Sequence, residues 1–328
     1  MAEKNISDMD MSTFIGLAGR DAFGKTLAIM GSENKNIVAL SADCENNSKL
    51  SVFAKEFPNR TFNFGIAEAN MVGSAAGMAI AGKIPVVGGF GFLMALRITE
   101  QVRTDICYPR LNVKIVSTAS GLAMGTAGTT HHCTEDFAIM RSFANIVIVS
   151  PASPIETAKA TRAILEYDGP VYLRLERDAA YGGVEEIYTK DDIPFILGKA
   201  VTFEEGKDVT IIFTGGSMGK LTIEATEALK KEGISVRLIN MHTVKPMDKE
   251  VILKAAEETR RIVTVEEHNV IGGMGEGVAS IIAESGFPCR LKKVGIMDEF
   301  CCIGPTAEIM AIHGLTAENI INAAKSLF

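Results

Sequence analysis

Short apolar runs that read as strands recur along almost the whole chain, each followed by a stretch of helical periodicity. In the first half the runs are 36–40 (NIVAL), 84–87 (IPVV), 112–117 (NVKIVS), 145–150 (NIVIVS) and 171–175 (VYLRL), with helical patterns near 13–31, 66–82, 93–107 and 153–167. The last of these has a clear start signal, with Ser153 as N-cap, Pro154 at the first helical position and Glu156 three residues after the cap. Parallel strands need crossover connections, and helices supply them, so this alternation predicts an α/β fold with a doubly wound, mostly parallel sheet. From about 178 to 198 the pattern breaks into a polar, glycine-bearing, aperiodic stretch. A second alternation then follows, with strand-like runs at 209–214, 235–239, 261–267 and 290–296 and a closing helix opened by Thr316. The expected organisation is therefore a domain over 1–180, a linker over 181–198 and a smaller α/β domain of four or so strands over 199–328.

A length of 328 residues suits two cores better than one. The formal charge of -7 leaves no basic face for phosphate backbones, so nucleic-acid binding is not expected. Six cysteines without a C-x-x-C pair, in a chain that opens on a polar and acidic stretch, fit reduced thiols and a cytoplasmic protein. Between Ala69 and Leu96 the only charge is Lys83, which raises the question of a membrane span. Lys83 falls mid-span beside Pro85 and a glycine cluster, so the segment reads as helix, turn, buried strand and loop of a soluble protein.

The most informative segment is 62–82, FNFGIAEANMVGSAAGMAIAG. Glu68 is its only charge, set in a run of glycine and alanine. Gly73 and Gly77, one turn apart, suggest close approach by another backbone and a buried helix. Burial of a carboxyl favours its protonated form, which would make Glu68 a candidate acid. An interaction with the helix dipole is the other reading of a glutamate at this position.

The string F-G-I-x-E-x-x-M, followed by a small-residue helix and P-V-x-G-G-F, resembles the pyrimidine-binding domain of transketolases. The resemblance continues through S-A-D at 41–43, Arg97 with Glu100-Gln101-Val102-Arg103, Gly128-x-Thr130-His131, and Ser150-Pro151-Ala152. It extends to His242-Thr243-Val244-Lys245-Pro246 and V-E-E-H-x-x-x-G-G-x-G at 265–275. It implies a thiamine diphosphate pyrimidine-binding fold followed by a C-terminal transketolase domain. By the same resemblance, Glu68 matches the glutamate that hydrogen-bonds N1′ of the aminopyrimidine, and Phe90 the aromatic that stacks on that ring. Leu93 stands where a second aromatic is usual, and Asp43 matches a loop aspartate near the cofactor. His131 matches a histidine that contacts ketose oxygens. Arg20, Asn47 and Arg177 occupy positions that read the anionic end of the sugar, although taken alone each arginine is an ordinary surface residue.

Two departures bear on the substrate. Ala119 stands where the family often has a histidine, and Thr126-Ala127 where it tends to have Glu-Asp. A deoxy, branched or otherwise modified ketose is therefore admitted beside the ordinary ketose phosphates, with an aldose or other aldehyde as acceptor. The chain contains no Gly-Asp-Gly, the motif that holds the Mg²⁺-diphosphate in thiamine enzymes. Its start coincides with the end of the family's N-terminal domain. The resemblance thus implies a partner subunit bearing Gly-Asp-Gly, an α2β2 heterotetramer, and no metal ligand in this chain. The β subunit of a 2-oxoacid dehydrogenase and a non-catalytic regulatory subunit share the same two-domain outline and are the alternatives. Gly272-Gly273-Met274-Gly275 fails the dinucleotide-loop spacing and reads as a turn. His131-His132-Cys133 lacks further metal ligands, and Cys301-Cys302 reads as buried thiols.

Overall fold

The computed structural model describes residues 11–177, 184–190 and 193–328. Part of the expected linker, and the first ten residues, therefore lie outside the described residues. The strands are β1 (Ile37–Ser41), β2 (Thr61–Asn63), β3 (Ile84–Phe90), β4 (Lys114–Thr118), β5 (Val147–Val149) and β6 (Val171–Arg174), then β7 (Val201–Glu204), β8 (Val209–Phe213), β9 (Val236–Asn240), β10 (Thr243–Lys245), β11 (Arg261–Asn269) and β12 (Arg290–Ile296). They form two sheets, ordered β10-β5-β6-β4-β3-β1-β2 and β12-β11-β8-β9-β7. All neighbours run parallel except the two edge strands β10 and β7. Central strands such as β1 and β8 are apolar-rich and buried at every position, as sheets covered on both faces require.

The helices fall where the periodicity predicts, with informative differences. The helix Pro154–Glu166 is capped by Ser153, whose Oγ accepts the Glu156 N–H at 3.1 Å. Thr316 likewise caps the last helix, Ala317–Lys325. The stretch 93–107 is wound in two wide, π-type segments, Leu93–Arg97 and Val102–Cys107, on either side of Thr99–Gln101. Such widened turns are rare and often border functional sites. Three short strands, β2, β7 and β10, carry too few residues for period-2 alternation to show.

The two units are not joined only end to end. β10 comes from the second half of the sequence but pairs antiparallel with β5 at the edge of the first sheet. Within the aperiodic stretch a helix, Val184–Lys190, packs between the units, and its Tyr188 hydroxyl donates to the buried Glu156 carboxylate, which also accepts from Asn240. One expectation fails within this chain: no atom lies near the side-chain position of Gly77, and Gly73 has only Asp105 at 3.9 Å. The two glycines admit a close neighbour, but among the described residues none takes the place. Cys302 is likewise exposed, and only Cys301 of that pair is buried.

Candidate active site

In a parallel sheet every strand ends on the same side, and the loops that follow share one crevice. Register brings the first sheet's ends level: Ser41 lies beside Asn63 and Gly88, Phe90 beside Thr118, and Ser117 beside Arg174. Neighbouring strands are about 4.8 Å apart, so the segments leaving them must meet. Asp43 and Asn47 follow β1, Glu68 follows β2, Phe90 ends β3, His131 closes the loop after β4, and Arg177 follows β6.

Glu68 opens the helix Glu68–Ile80 and is 5% exposed. Its Oε1 faces Arg97 Nη1 at 3.5 Å, a long contact to a side chain that is itself 58% exposed. The Cys44 thiol lies between this carboxyl and Phe90; burial pushes the thiol up, the Phe90 backbone opposes that, and the charges of Glu68 and Asp43 add to it. Phe90 stacks on Phe92, with ring centroids 5.8 Å apart and planes within 13°, and Phe92 packs on His131 at 4.7 Å. A buried carboxyl and a half-buried aromatic pair therefore share one mouth. Leu93 is turned into the core behind them.

Asn63 fastens the neighbouring loops, its Oδ1 accepting from Asp43 N–H at 3.1 Å and Gly65 N–H at 2.9 Å. Asp43 itself holds a left-handed φ of +57°, an uncommon conformation that such side-chain contacts support. With Glu45, Asn46 and Asn47 it lines a polar cavity. Arg20 reaches this loop, Nη1 donating to the Asn47 carbonyl at 3.5 Å, while its buried Nε has no partner. Arg177 is placed differently, on a second cavity of about 220 Å³ between the domains, with Ser217 and Lys220 opposite. The structure thus brings Arg20 to Asn47 and links Phe90 to His131 through Phe92, while Arg177 lines the separate cavity.

Phe92 and Asn63 are site residues that sequence reasoning missed. The Phe90-x-Phe92 spacing at a strand exit was a usable signal for the first; nothing marked Asn63. The loop after β4 also depends on the second domain, through contacts of high sequence separation that no local pattern reveals.

Among the described residues no cluster of three or more His, Cys, Asp or Glu is placed to hold a metal ion, and no helix is long and apolar enough to cross a membrane. The mouth suits a flat, nitrogen-bearing aromatic ring, since it offers an apolar wall and a buried carboxyl with one weak partner.

Comparison with known proteins agrees with this geometry. Residues 16–181 match the transketolase pyrimidine binding domain and residues 198–320 the transketolase C-terminal domain. The chain is 40% identical over 308 residues to one subunit of the apulose-4-phosphate transketolase of Phocaeicola vulgatus, covering 94% of this chain and 96% of that one. It is 38% identical over 305 residues to a 6-deoxy-6-sulfo-D-fructose transketolase subunit of Clostridium sp. (strain MSTE9), covering 93% and 92%. A solved split-gene transketolase, described as an inactive β4 tetramer, superposes with a TM-score of 0.85 at 39% identity, over 95% of this chain and 98% of that chain. With both domain matches in order along the chain, it belongs to the transketolase family.

Proposed function

We propose that this chain is the half of a two-subunit transketolase that grips the aminopyrimidine ring of thiamine diphosphate, and that a partner subunit bearing Gly-Asp-Gly holds the Mg²⁺-diphosphate. The observation that carries this is Glu68, a carboxyl 5% exposed at the strand ends, whose contact Arg97 lies on the segment that follows the Phe90–Phe92 stack. Thiamine diphosphate supplies an electron sink for carbon–carbon cleavage when bound. Glu68 would hold N1′ of the ring by a hydrogen bond and carry the proton there. Phe90 and Phe92 would cover the ring's face, while the buried Leu93 fixes the wall behind it. Asp43 belongs to the loop at the cofactor's edge. His131 would contact the ketose oxygens, and Arg20 with Asn47 would take the anionic end of the sugar, with Arg177 reaching it from the interdomain cavity.

The reaction is transfer of a two-carbon ketol unit from an anionic ketose to an aldehyde. A modified ketose is supported by the wall after β4. Ala119 is 1% exposed with φ +54°, so position 119 turns a methyl group inward and offers no polar reader. Thr126 and Ala127 are exposed at the loop tip and carry no carboxylate. The relatives named for apulose 4-phosphate and for 6-deoxy-6-sulfo-D-fructose fit the same reading. An α2β2 assembly follows from the divided cofactor site, and the free cysteines fit the cytoplasm. The test is reconstitution with a Gly-Asp-Gly chain and a panel of anionic ketoses. Ketol transfer by the pair and by neither chain alone is expected; no transfer from any donor at saturating cofactor refutes the proposal.

A further inference from the structure

The loop that carries His131 is held mainly by the second domain. It leaves β4 at Ala119 and is clasped at its base by two backbone hydrogen bonds, Gly121 N–H to Cys133 O at 3.0 Å and Cys133 N–H to Gly121 O at 2.9 Å. Glu267, at the end of β11, places its carboxyl directly on that base. Its Oε1 accepts the Leu122 N–H at 2.7 Å, and a Cβ at Gly121 would lie 2.5 Å from its carboxyl carbon. Thr306 donates to the Leu122 carbonyl at 3.1 Å, and Asn269 N–H to the Thr134 carbonyl at 2.8 Å.

The other oxygen of Glu267 faces a proton-counting problem. Ser217 Oγ lies 2.6 Å from Glu267 Oε2 and 3.0 Å from Glu176 Oε1, and Glu176 sits immediately after β6, beside Arg177. A serine hydroxyl has one hydrogen to give. The shorter contact suits donation to an ionised carboxylate. The longer one then needs a hydrogen from Glu176, whose Oε1 also accepts the Ser217 N–H at 2.9 Å. We propose that Glu267 is the positioning residue for the His131 loop, and that a single proton shared between Glu267 and Glu176 across Ser217 sets how firmly the second domain holds it. The proposal rests on reading His131 as substrate-facing, but its structural half does not.

The surrounding charges leave this proton to the pair. Burial, then the charge of Glu267, pushes Glu176 up to about 7 against the Ser217 N–H, and burial likewise raises Glu267 against Arg174. Arg174 is already committed, its Nε to Asp136 at 2.9 Å and its Nη2 to the Glu267 carbonyl at 2.9 Å. His268, next along β11, is pushed down to about 4 by burial and stays neutral, and the Cys301 thiol is pushed up to about 11. Lys220, Glu224 and Arg177 line the cavity that opens beside the pair. Glu266 is also raised to about 7 by burial, but it accepts the N–H groups of Met274 and Gly275 rather than any group of the loop. Above about pH 7 the shared proton leaves, two carboxylates compete for one hydroxyl hydrogen, and the domain contact at Leu122 loosens.

Hydrogen exchange of the peptide spanning 119–134, followed by mass spectrometry on the full chain between pH 6 and 8, tests this. Beyond the intrinsic change in exchange chemistry, protection in the unmodified chain should fall by up to about tenfold from pH 7 to pH 8, the rate at which proton occupancy falls. Glu176→Gln has no proton to lose over this range and should flatten that fall. Glu267→Ala should lose protection at every pH, and Ser217→Ala should do so with less disturbance of the fold, while Glu267→Gln should restore it. In the reconstituted pair the donor KM should follow the same pattern with little change in cofactor affinity. An unchanged pH dependence in Glu176→Gln, or full protection in Ser217→Ala and Glu267→Ala, overturns the proposal. Absence of turnover in the unmodified pair would instead refute the functional reading, leaving the exchange result to stand.

Discussion

Glu68→Gln separates a catalytic carboxyl from a structural one, because the two roles predict losses of different size in different measurements. The structural losses are small. The Arg97 contact is 3.5 Å long and reaches a 58% exposed guanidinium, so it belongs with surface pairs worth ~0–1 kcal/mol. A carboxylate in the first turn of a helix adds ~0.3–1 kcal/mol through the dipole. Replacement by glutamine should therefore lower stability by less than about 2 kcal/mol. The catalytic loss is larger, since an acid–base contribution of this kind is worth ~10² to 10⁴ in rate, or ~3–5 kcal/mol of barrier. The assay pairs urea denaturation of the chain with hydrogen–deuterium exchange at C2 of bound thiamine diphosphate and turnover in the reconstituted enzyme. A near-normal denaturation midpoint with exchange at least a hundredfold slower is expected. Unmodified exchange in Glu68→Gln, whatever the stability, refutes the role assigned to this carboxyl.

Calorimetric titration of the isolated chain with thiamine diphosphate and Mg²⁺ should detect only weak binding, and micromolar affinity without a partner would count against the divided site. In a donor panel, modified anionic ketoses should outperform xylulose 5-phosphate; the reverse order would make Ala119 and Ala127 irrelevant to selectivity. Asp136→Ala strands the buried Arg174 and the Tyr172 hydroxyl, which both bond its Oδ2, and should cost ~3–5 kcal/mol in denaturant unfolding. His268 is pushed from its ordinary 6.5 to about 4 by burial, so its contribution is present above pH 6.5 and lost as pH falls towards 4. That loss amounts to about 3 kcal/mol, and His268→Gln, which has nothing to titrate there, should lose that part of the pH slope in urea unfolding.

Much of the fold was legible because its signals are local. β1, β3, β4 and β8 are apolar runs bounded by polar turns, and Ser153 and Thr316 cap helices from positions readable in the sequence. Glu68 was legible for a related reason: a lone charge in a glycine–alanine helix needs an explanation. What was not legible depends on distant pairing. β10 is three residues long and joins a sheet whose other strands lie some 70 residues or more away in sequence. Phe92 gains its meaning only when the β4 loop folds His131 onto it, and Glu267 reads locally as one more strand residue until Leu122 meets it. The expected burial of the Gly73–Gly77 face came from a sound rule about small residues, but the rule does not say which molecule supplies the neighbour.

A neighbour from a second polypeptide is what the proposed divided site calls for. Asp43 and Glu45 line one polar cavity, and an ionised diphosphate brought there without its own cations would meet repulsion from two carboxylates. Nor do the described residues offer a metal-binding cluster that could turn that repulsion into attraction. Further along, the helix carrying Glu68 leaves Gly77 open and Ile80 75% exposed, while Ile66 and Leu96 are also uncovered. An exposed apolar surface of this kind is one that another polypeptide can cover. The acidic loops and the open face fit the proposal that the ring end of the cofactor is held here and its charged end by a partner subunit.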